Sequence, residues 1–460
     1  MIYDYITIDK NKAAPLYLQL YESIKRAVGT GRIKKGDRLP SIRKLAHGLG
    51  VSCTTVDAAY QQLCVEGYIC PKPKKGYFAL AAQSQYGDCP EKPPAPASCR
   101  TNRVYIRYNF GTDCVDSRNI DVKAWRHYIR EILNRKEIIA SYGAHQGEME
   151  LRSALSDYSG RERGTVAPPE RIVVGAGTQP LLSILCGLLG KGKTVAMESP
   201  GFLQAEQVFS DYGFKVLKLP GDSAGIDMDA LQKSGAGLAF VSPSGRMSNG
   251  LSIPMGRRLE LLKWARKNGG IIIEDDHNGE LRYRARPVPS MQGLGGGRDV
   301  VYIGSFSKLL LPSVRIGYMV LTPELLKPYL PLAVNYNQTA SKIEQLALSG
   351  YIKNGGLEKH LRHLRKLYSE KSEKLCAAVG HEFGGTAEIL LQETPLTVLL
   401  TVHSVKGAEE LCSIAAEKGV RVTAAPGGLK IRLGFAGIPM DDIEPAVACL
   451  KEAWGKYLLK

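Results

Sequence analysis

The residue best placed for covalent chemistry is Lys308, in GSFSKLLLPSVRIGY from Gly304. It follows an apolar β-branched run, stands among small hydroxyl residues, and has Arg315 seven positions later. An ε-amine at the end of a buried strand can condense with a carbonyl carbon to form a Schiff base. Three other stretches carry complementary groups. GAGTQPLL from Gly175 follows a strand-like run and opens a helical one, so backbone N–H groups near Gly177, Thr178 and Gln179 can receive an anion at a helix start. IIIEDDHNGE from Ile271 ends an apolar run in consecutive carboxylates, which are costly to place together unless a cation or metal shares the site. Phe202, in ESPGF, offers a ring that can stack on a planar ligand.

Each has an ordinary reading when taken alone: Lys308 as a solvated strand-end lysine, the carboxylates as a solvated cluster or a divalent-metal site, Phe202 as core. Together they meet the needs of a pyridoxal cofactor, whose ring withdraws electrons only while its nitrogen stays protonated. Those needs are a phosphate cup, an acid beside the ring nitrogen, a stacking group and a lysine. Asp275 is the candidate acid.

The elements that must position these groups alternate. Strand-like runs begin at Arg171, Thr194, Lys215, Leu238, Ile271, Val300 and Arg315, with amphipathic helical stretches such as RRLELLKWARKNGG between them. That alternation predicts a mostly parallel seven-stranded sheet, its strands apolar on both faces because helices cover each side. After about Pro323 the pattern turns helical, with a late strand near LKIRLGF, and predicts a smaller α+β domain. Upstream, the proline-rich stretch 81–103 reads as a connector, separating a domain at 1–80 from one at 104–460.

At 460 residues the chain is long enough for several folding units, and 44% apolar with 23% charged residues is a globular composition. It has no apolar run long enough to span a bilayer, and MIYDYITIDK lacks the basic and apolar regions of a secretion signal, so a cytoplasmic location is expected. Ten cysteines without a Cys-x-x-Cys pair predict reduced thiols and no metal site. Net charge is +16, and residues 1–80 alone hold thirteen Lys or Arg against six Asp or Glu, which favours a polyanionic partner.

Within those 80 residues Leu16, Leu20, Ile24 and Ala27 share one helical face. Ser41 caps a second helix that ends at Gly50, and Ser52 caps a third whose inner face is Val56, Ala59, Tyr60 and Leu63. Ser52, Thr54 and Thr55 then stand at a helix start where phosphates or base edges can be met, and Lys72, Lys74 and Lys75 form a basic hairpin tip. A helical docking domain with a solvated charged surface is the plainer reading of that pattern.

The stretch PLYLQLYESIKRAVGTGRIKKGDRLPSIRKLAHGLGVSCTTVDAAYQQLCVEGYI resembles the winged helix-turn-helix domain of the GntR family of bacterial regulators. The resemblance implies operator contacts from Arg43 and the polar residues opening the third helix, with Lys74 and Lys75 on a wing. Cys53 stands where that family usually has arginine. Residues 105–455 resemble fold-type I aminotransferases through GAGTQ, ESPGF, EDD, SFSK and SVRIG in that order. This implies Lys308 as the Schiff-base lysine, Asp275 as the partner of the pyridinium nitrogen and Phe202 as the stacking ring. Ser305, Ser307 and Arg315 join Gly177, Thr178 and Gln179 as phosphate ligands. Tyr142, in SYGAHQG, is similar to a tyrosine that reaches the phosphate from the other subunit, and Arg432, in IRLGF, to the arginine that holds an amino acid's carboxylate.

Both halves on one chain resemble the MocR/GabR subfamily, which implies a head-to-tail homodimer that binds double-stranded operator DNA and senses pyridoxal 5'-phosphate, alone or joined to an amine or amino acid. The alternative is an active aminotransferase with an appended DNA-binding module; residual transaminase half-reaction is left open. EDDHNGE replaces the subfamily's usual EDDYDSE, so His277 stands where a tyrosine approaches the cofactor's phenolic oxygen. PSGRMSNG replaces PSHQFPTG, and Phe202, Leu203 and Gln204 replace the usual residues after PG. The cofactor-holding residues are kept and the effector side is altered.

Overall fold

The structure is a computed structural model describing residues 5–9, 14–80, 105–112, 114–246, 251–277, 279–283, 288–390, 396–425 and 427–459. The chain divides into two compact units, Met1–Arg103 and Val104–Lys460. The connector expected over 81–103 lies outside the described residues.

In the first unit, α1 (Leu16–Gly29), α2 (Ile42–Leu49) and α3 (Cys53–Val65) precede a hairpin of β1 (Ile69–Lys72) and β2 (Gly76–Ala79). Ser41 Oγ accepts the N–H of Lys44 at 3.3 Å, and Ser52 Oγ that of Thr55 at 3.1 Å, so both predicted caps are formed. Gly50 closes α2 at φ 62°, a conformation in which a side chain is strained. Val56, Ala59, Tyr60 and Leu63 are wholly buried against Leu20, Ile24 and Leu45. The Tyr60 hydroxyl donates to Pro40 O at 2.9 Å, tying α3 to the residues before α2.

The second unit begins with β3 (Tyr108–Asn109), α4 (Val122–Leu133), α5 (Lys136–Ile139) and α6 (Met149–Arg163). Then come β4 (Ile172–Gly175), α7 (Thr178–Leu189), β5 (Thr194–Glu198), α8 (Leu203–Asp211) and β6 (Lys215–Leu219), followed by the hairpin β7 (Gly221–Asp222) and β8 (Gly225–Ile226). The central layers continue with α9 (Met228–Lys233), β9 (Leu238–Val241), α10 (Met255–Asn268), β10 (Ile271–Asp276), α11 (Met291–Leu294), β11 (Val300–Ser305) and β12 (Gly317–Val320).

The main sheet has the order β4-β12-β11-β10-β9-β5-β6. All seven predicted strands are present. Six run parallel, and β12 runs antiparallel to both β11 and β4. Alternate residues go to opposite faces. Val173, Phe240, Ile273, Val301 and Ile303 pack with Leu181, Leu185 and Phe209 of α7 and α8, whereas Ala239, Ile272 and Val300 pack with Leu261 and Trp264 of α10.

The chain then forms α12 (Pro323–Leu332), α13 (Lys342–Lys353), α14 (Gly356–Phe383), β13 (Ala387–Leu390), β14 (Thr397–Val402), α15 (Ala408–Glu417), β15 (Val420–Arg421), β16 (Thr423–Ala425), β17 (Lys430–Gly434) and α16 (Ile443–Trp454). A second, antiparallel sheet has the order β13-β14-β17-β16. The expected small α+β part is therefore present, but it also takes in the start of the unit. β3 pairs in parallel with β15, and the N–H of Gly434 donates to Phe110 O at 2.7 Å. A two-residue strand is too short to leave a periodic signal in the sequence.

Candidate functional site

The parallel strands of the main sheet end on one edge, and the candidate residues emerge there, where open α/β sheets bind ligands. Strand alternation separates the three consecutive carboxylates at the end of β10. Glu274 and Asp276 share one face, and Asp275 points to the other. Glu274 accepts the N–H groups of Met291 and Gln292, both at 2.9 Å, at the start of α11. Burial and the Asp276 charge push its pKa up to about 7, against those two bonds. Asp276 pairs with Arg163 at 2.6 Å, both side chains fully buried, and accepts the Tyr302 hydroxyl at 3.0 Å. Burial, the largest single influence, would raise its pKa, but the Arg163 charge together with hydrogen bonds from Ser244, Arg163 and Tyr302 outweighs it and holds the group below the usual carboxylate range.

Asp275, 4% exposed, accepts Ser242 Oγ at 3.4 Å and faces His277 Nδ1 at 3.2 Å. Burial pulls the His277 pKa down, but the hydrogen bond and charge of Asp275 together with the Asp276 charge outweigh it and leave it above the ordinary histidine value. Ser242 is a residue that the sequence reading passed over. It lies just beyond β9 in LAFVSP, and the register that sets Val241 beside Glu274 brings it to Asp275.

At the edge formed by β4 and β12, Gly177 precedes α7 at φ +90°, and no side chain caps that helix. A Cβ on Gly177 would come within 2.8 Å of Arg315 Nη2, so the guanidinium lies directly against the helix start. Arg315 itself has the left-handed backbone, φ 52°, and an exposed side chain. Gly177's own N–H is engaged with Gly175 O at 2.8 Å, which leaves Thr178 and Gln179 as the first-turn donors. The half-buried hydroxyls of Ser305, which ends β11, and Ser307, just beyond it, are 3.3 Å apart.

Lys308 is half-buried in the turn between β11 and β12, and its Nζ donates to the carbonyl oxygen of Thr112. Phe202 stands at the start of α8 and stacks on Phe240, with centroids 6.5 Å apart and planes 20° apart; it lines a pocket with Met197, Ser242 and Arg246. Arg246 is buried, donates to the carbonyls of Asp222 and Ser223 at 2.9 and 2.8 Å, and lies 3.5 Å from Glu198. The last four residues of its loop, 247–250, lie outside the described residues.

Tyr142 and Arg432 are the remaining predicted residues of this half. Tyr142 is fully exposed. Arg432 lies half-buried on β17, an inner strand between β14 and β16, where burial lowers its pKa.

In the first unit, Ser52 Oγ is 2.7 Å from Thr54 Oγ1 and 2.8 Å from Thr55 Oγ1, forming a hydroxyl cluster at the start of α3. Cys53 and Arg43 are exposed near it in the sequence. Lys74 takes φ 58° at the tip of the hairpin, with Lys75 beside it, both exposed, while Lys72 lies over the Phe78 ring at 4.6 Å.

Residues 16–78 match the model of the bacterial regulatory proteins, gntR family, and residues 106–450 that of aminotransferase class I and II. The HTH-type transcriptional regulator YdeL of Bacillus subtilis is 38% identical over 96% of this chain and 97% of its own. This chain is a GntR-family regulator of the MocR type. The probable rhizopine catabolism regulatory protein MocR of Rhizobium meliloti is 28% identical to it over 98% of this chain and 96% of its own. The aminotransferase fold of the regulator is also that of the α-aminoadipate aminotransferase LysN from Thermus thermophilus, with TM-score 0.68, 23% identity, and 77% of this chain and 93% of that one covered.

The cofactor class of the aminotransferase half is pyridoxal phosphate, and the residues present fit it. They include an uncapped helix start with a guanidinium where a Cβ would collide, a serine pair and a lysine on the same edge, and a buried carboxylate with hydrogen-bond partners. Among the described residues no cluster of His, Cys, Asp or Glu could hold a metal ion, and no helix is long and apolar enough to cross a membrane.

Proposed function

We propose that this regulator binds pyridoxal phosphate through Lys308, alone or joined to an amine or amino acid, and converts occupancy into a change of operator affinity in the cytoplasm. The contact of the Arg315 guanidinium with the Gly177 helix start carries the reading, because it concentrates positive charge and open N–H groups where a dianion would sit. When bound, the cofactor supplies an aldehyde carbon that condenses reversibly with primary amines and a ring that withdraws electrons.

In this reading Thr178, Gln179, Ser305, Ser307 and Arg315 hold the phosphate, and Gly177 makes room for it. Asp275 keeps the proton on the ring nitrogen, Phe202 covers one face of the ring, and His277, its Nδ1 turned to Asp275, offers Nε2 to the phenolic oxygen. Arg432 holds the carboxylate of an amino-acid effector, a task suited to a bidentate guanidinium. The full exposure of Tyr142 supports its use by a second copy in a homodimer. Arg43, Ser52, Thr54, Thr55, Lys74 and Lys75 meet double-stranded operator DNA. A ligand shifts DNA binding only through different affinity for two arrangements of the protein.

Footprinting on the DNA upstream of the chain's own gene, with and without pyridoxal phosphate, tests this. Salt-sensitive protection that changes with the cofactor is expected. Steady turnover of an amino donor and a keto acid, without DNA protection, would instead establish the aminotransferase alternative.

A further inference from the structure

The buried guanidinium of Arg163, the last residue of α6, reaches the elements that orient Asp275. Its Nε donates to Asp276 Oδ2 at 2.6 Å, one residue beyond Asp275 on β10. Its Nη2 donates to Ser244 Oγ at 2.8 Å, two residues beyond the Ser242 that donates to Asp275. Its Nη1 donates to Val288 O at 2.7 Å, and its carbonyl accepts the N–H of Ser290 at 2.8 Å. A Cβ on Gly279 would come within 2.6 Å of its Cζ, so the turn after β10 closes directly over it. The side chain is 1% exposed, and breaking such a pair leaves an uncompensated buried charge.

We propose that Arg163 is a positioning residue for the cofactor: by clamping Asp276 and Ser244 together it holds the Asp275 carboxylate, through the backbone of β10 and through Ser242, in the orientation that keeps the ring nitrogen protonated. The proposal rests on the pyridoxal reading of Asp275. Loosening the clamp lets Asp275 turn away, which lowers the proton affinity of the ring nitrogen and so changes the titration of the bound chromophore.

The test uses full-length protein reconstituted with pyridoxal phosphate and follows visible absorbance against pH. Arg163→Met is expected to move the titration midpoint by about one pH unit and to weaken cofactor binding about tenfold, the low end of what loss of a ligand's hydrogen-bond partner does at metal sites. Arg163→Lys should restore part of both. Lys371→Met breaks a different buried pair, Lys371–Asp116 at 2.9 Å, and should lower thermal stability while leaving the midpoint in place.

A coloured wild type with an unmoved midpoint and affinity in folded Arg163→Met overturns the proposal alone. A colourless wild type overturns the cofactor reading and this proposal with it. If Arg163→Met does not fold, Ser244→Ala decides: it keeps the ion pair and removes one arm of the clamp, so a smaller shift in the same direction supports the proposal and an unmoved midpoint overturns it.

Discussion

A Cβ on Gly177 would lie 2.8 Å from Arg315 Nη2, and Gly177 holds φ +90°. The φ demands glycine, because L side chains are strained there, and an added methyl would force the guanidinium to shift. Gly177→Ala should therefore push Arg315 off the helix start. The expected result is cofactor affinity weakened about tenfold or more and stability lowered by about 1–2 kcal/mol. Fluorescence titration with pyridoxal phosphate and thermal melting read the two effects. Unchanged affinity would remove the phosphate role from this corner of the sheet.

Lys308→Ala leaves the phosphate cup in place and removes the amine. Purified wild type is expected to be yellow and, after borohydride, to carry the reduced adduct on the Lys308 peptide. The variant should lose the visible band while retaining weaker, dialysable cofactor. An adduct mapped to another lysine would refute the assignment.

Glu274 gives the second unit a pH dependence whose sign follows from burial. Its folded pKa is raised from 4.5 to about 7, so between those values the folded chain binds more protons than the unfolded one. Stability from this group is present below about pH 4.5 and lost as pH rises through 7, amounting to about 3 kcal/mol. Glu280, also pushed up to about 7 by burial and by the Asp276 charge, acts in the same direction. Glu274→Gln cannot ionise, so wild type should lose stability relative to it between pH 5 and pH 7.5 in urea unfolding. Parallel curves across that range would mean that Glu274 stays charged when buried.

Most of the sheet was legible because its strands are buried on both faces and read as unbroken apolar runs, as VVYIGS and RIGYMVL do. The reversed direction of β12 left no trace, since an apolar run reads the same whichever way the strand points. Lys308, Asp275 and Arg315 were proposed from type and spacing. Arg163 was not, because a basic residue ending a helix before glycine resembles an ordinary C-terminal cation, and only the fold shows it fully buried against Asp276. Ser242 acts through one hydroxyl in a chain with many serines, and Thr112 through a backbone carbonyl that any residue carries, so neither stands out by type.

Cys53 opens α3 with an exposed thiol, so at that position this regulator has no guanidinium to grip a phosphate or a guanine edge. Cys53→Arg keeps the Ser52 cap, which bonds Thr55 rather than residue 53. It should tighten operator binding by about 1–3 kcal/mol if a base edge is within reach, and steepen the dependence of log affinity on log salt by about 0.9 if a phosphate is. Replacing Lys74 and Lys75 together by alanine should act oppositely, making that slope shallower by up to about 1.8 across all sequences. Gel-shift titrations at several salt concentrations separate these effects. A Cys53→Arg protein with wild-type affinity and slope would place the start of α3 away from DNA, and with it the operator contacts assigned to Ser52, Thr54 and Thr55.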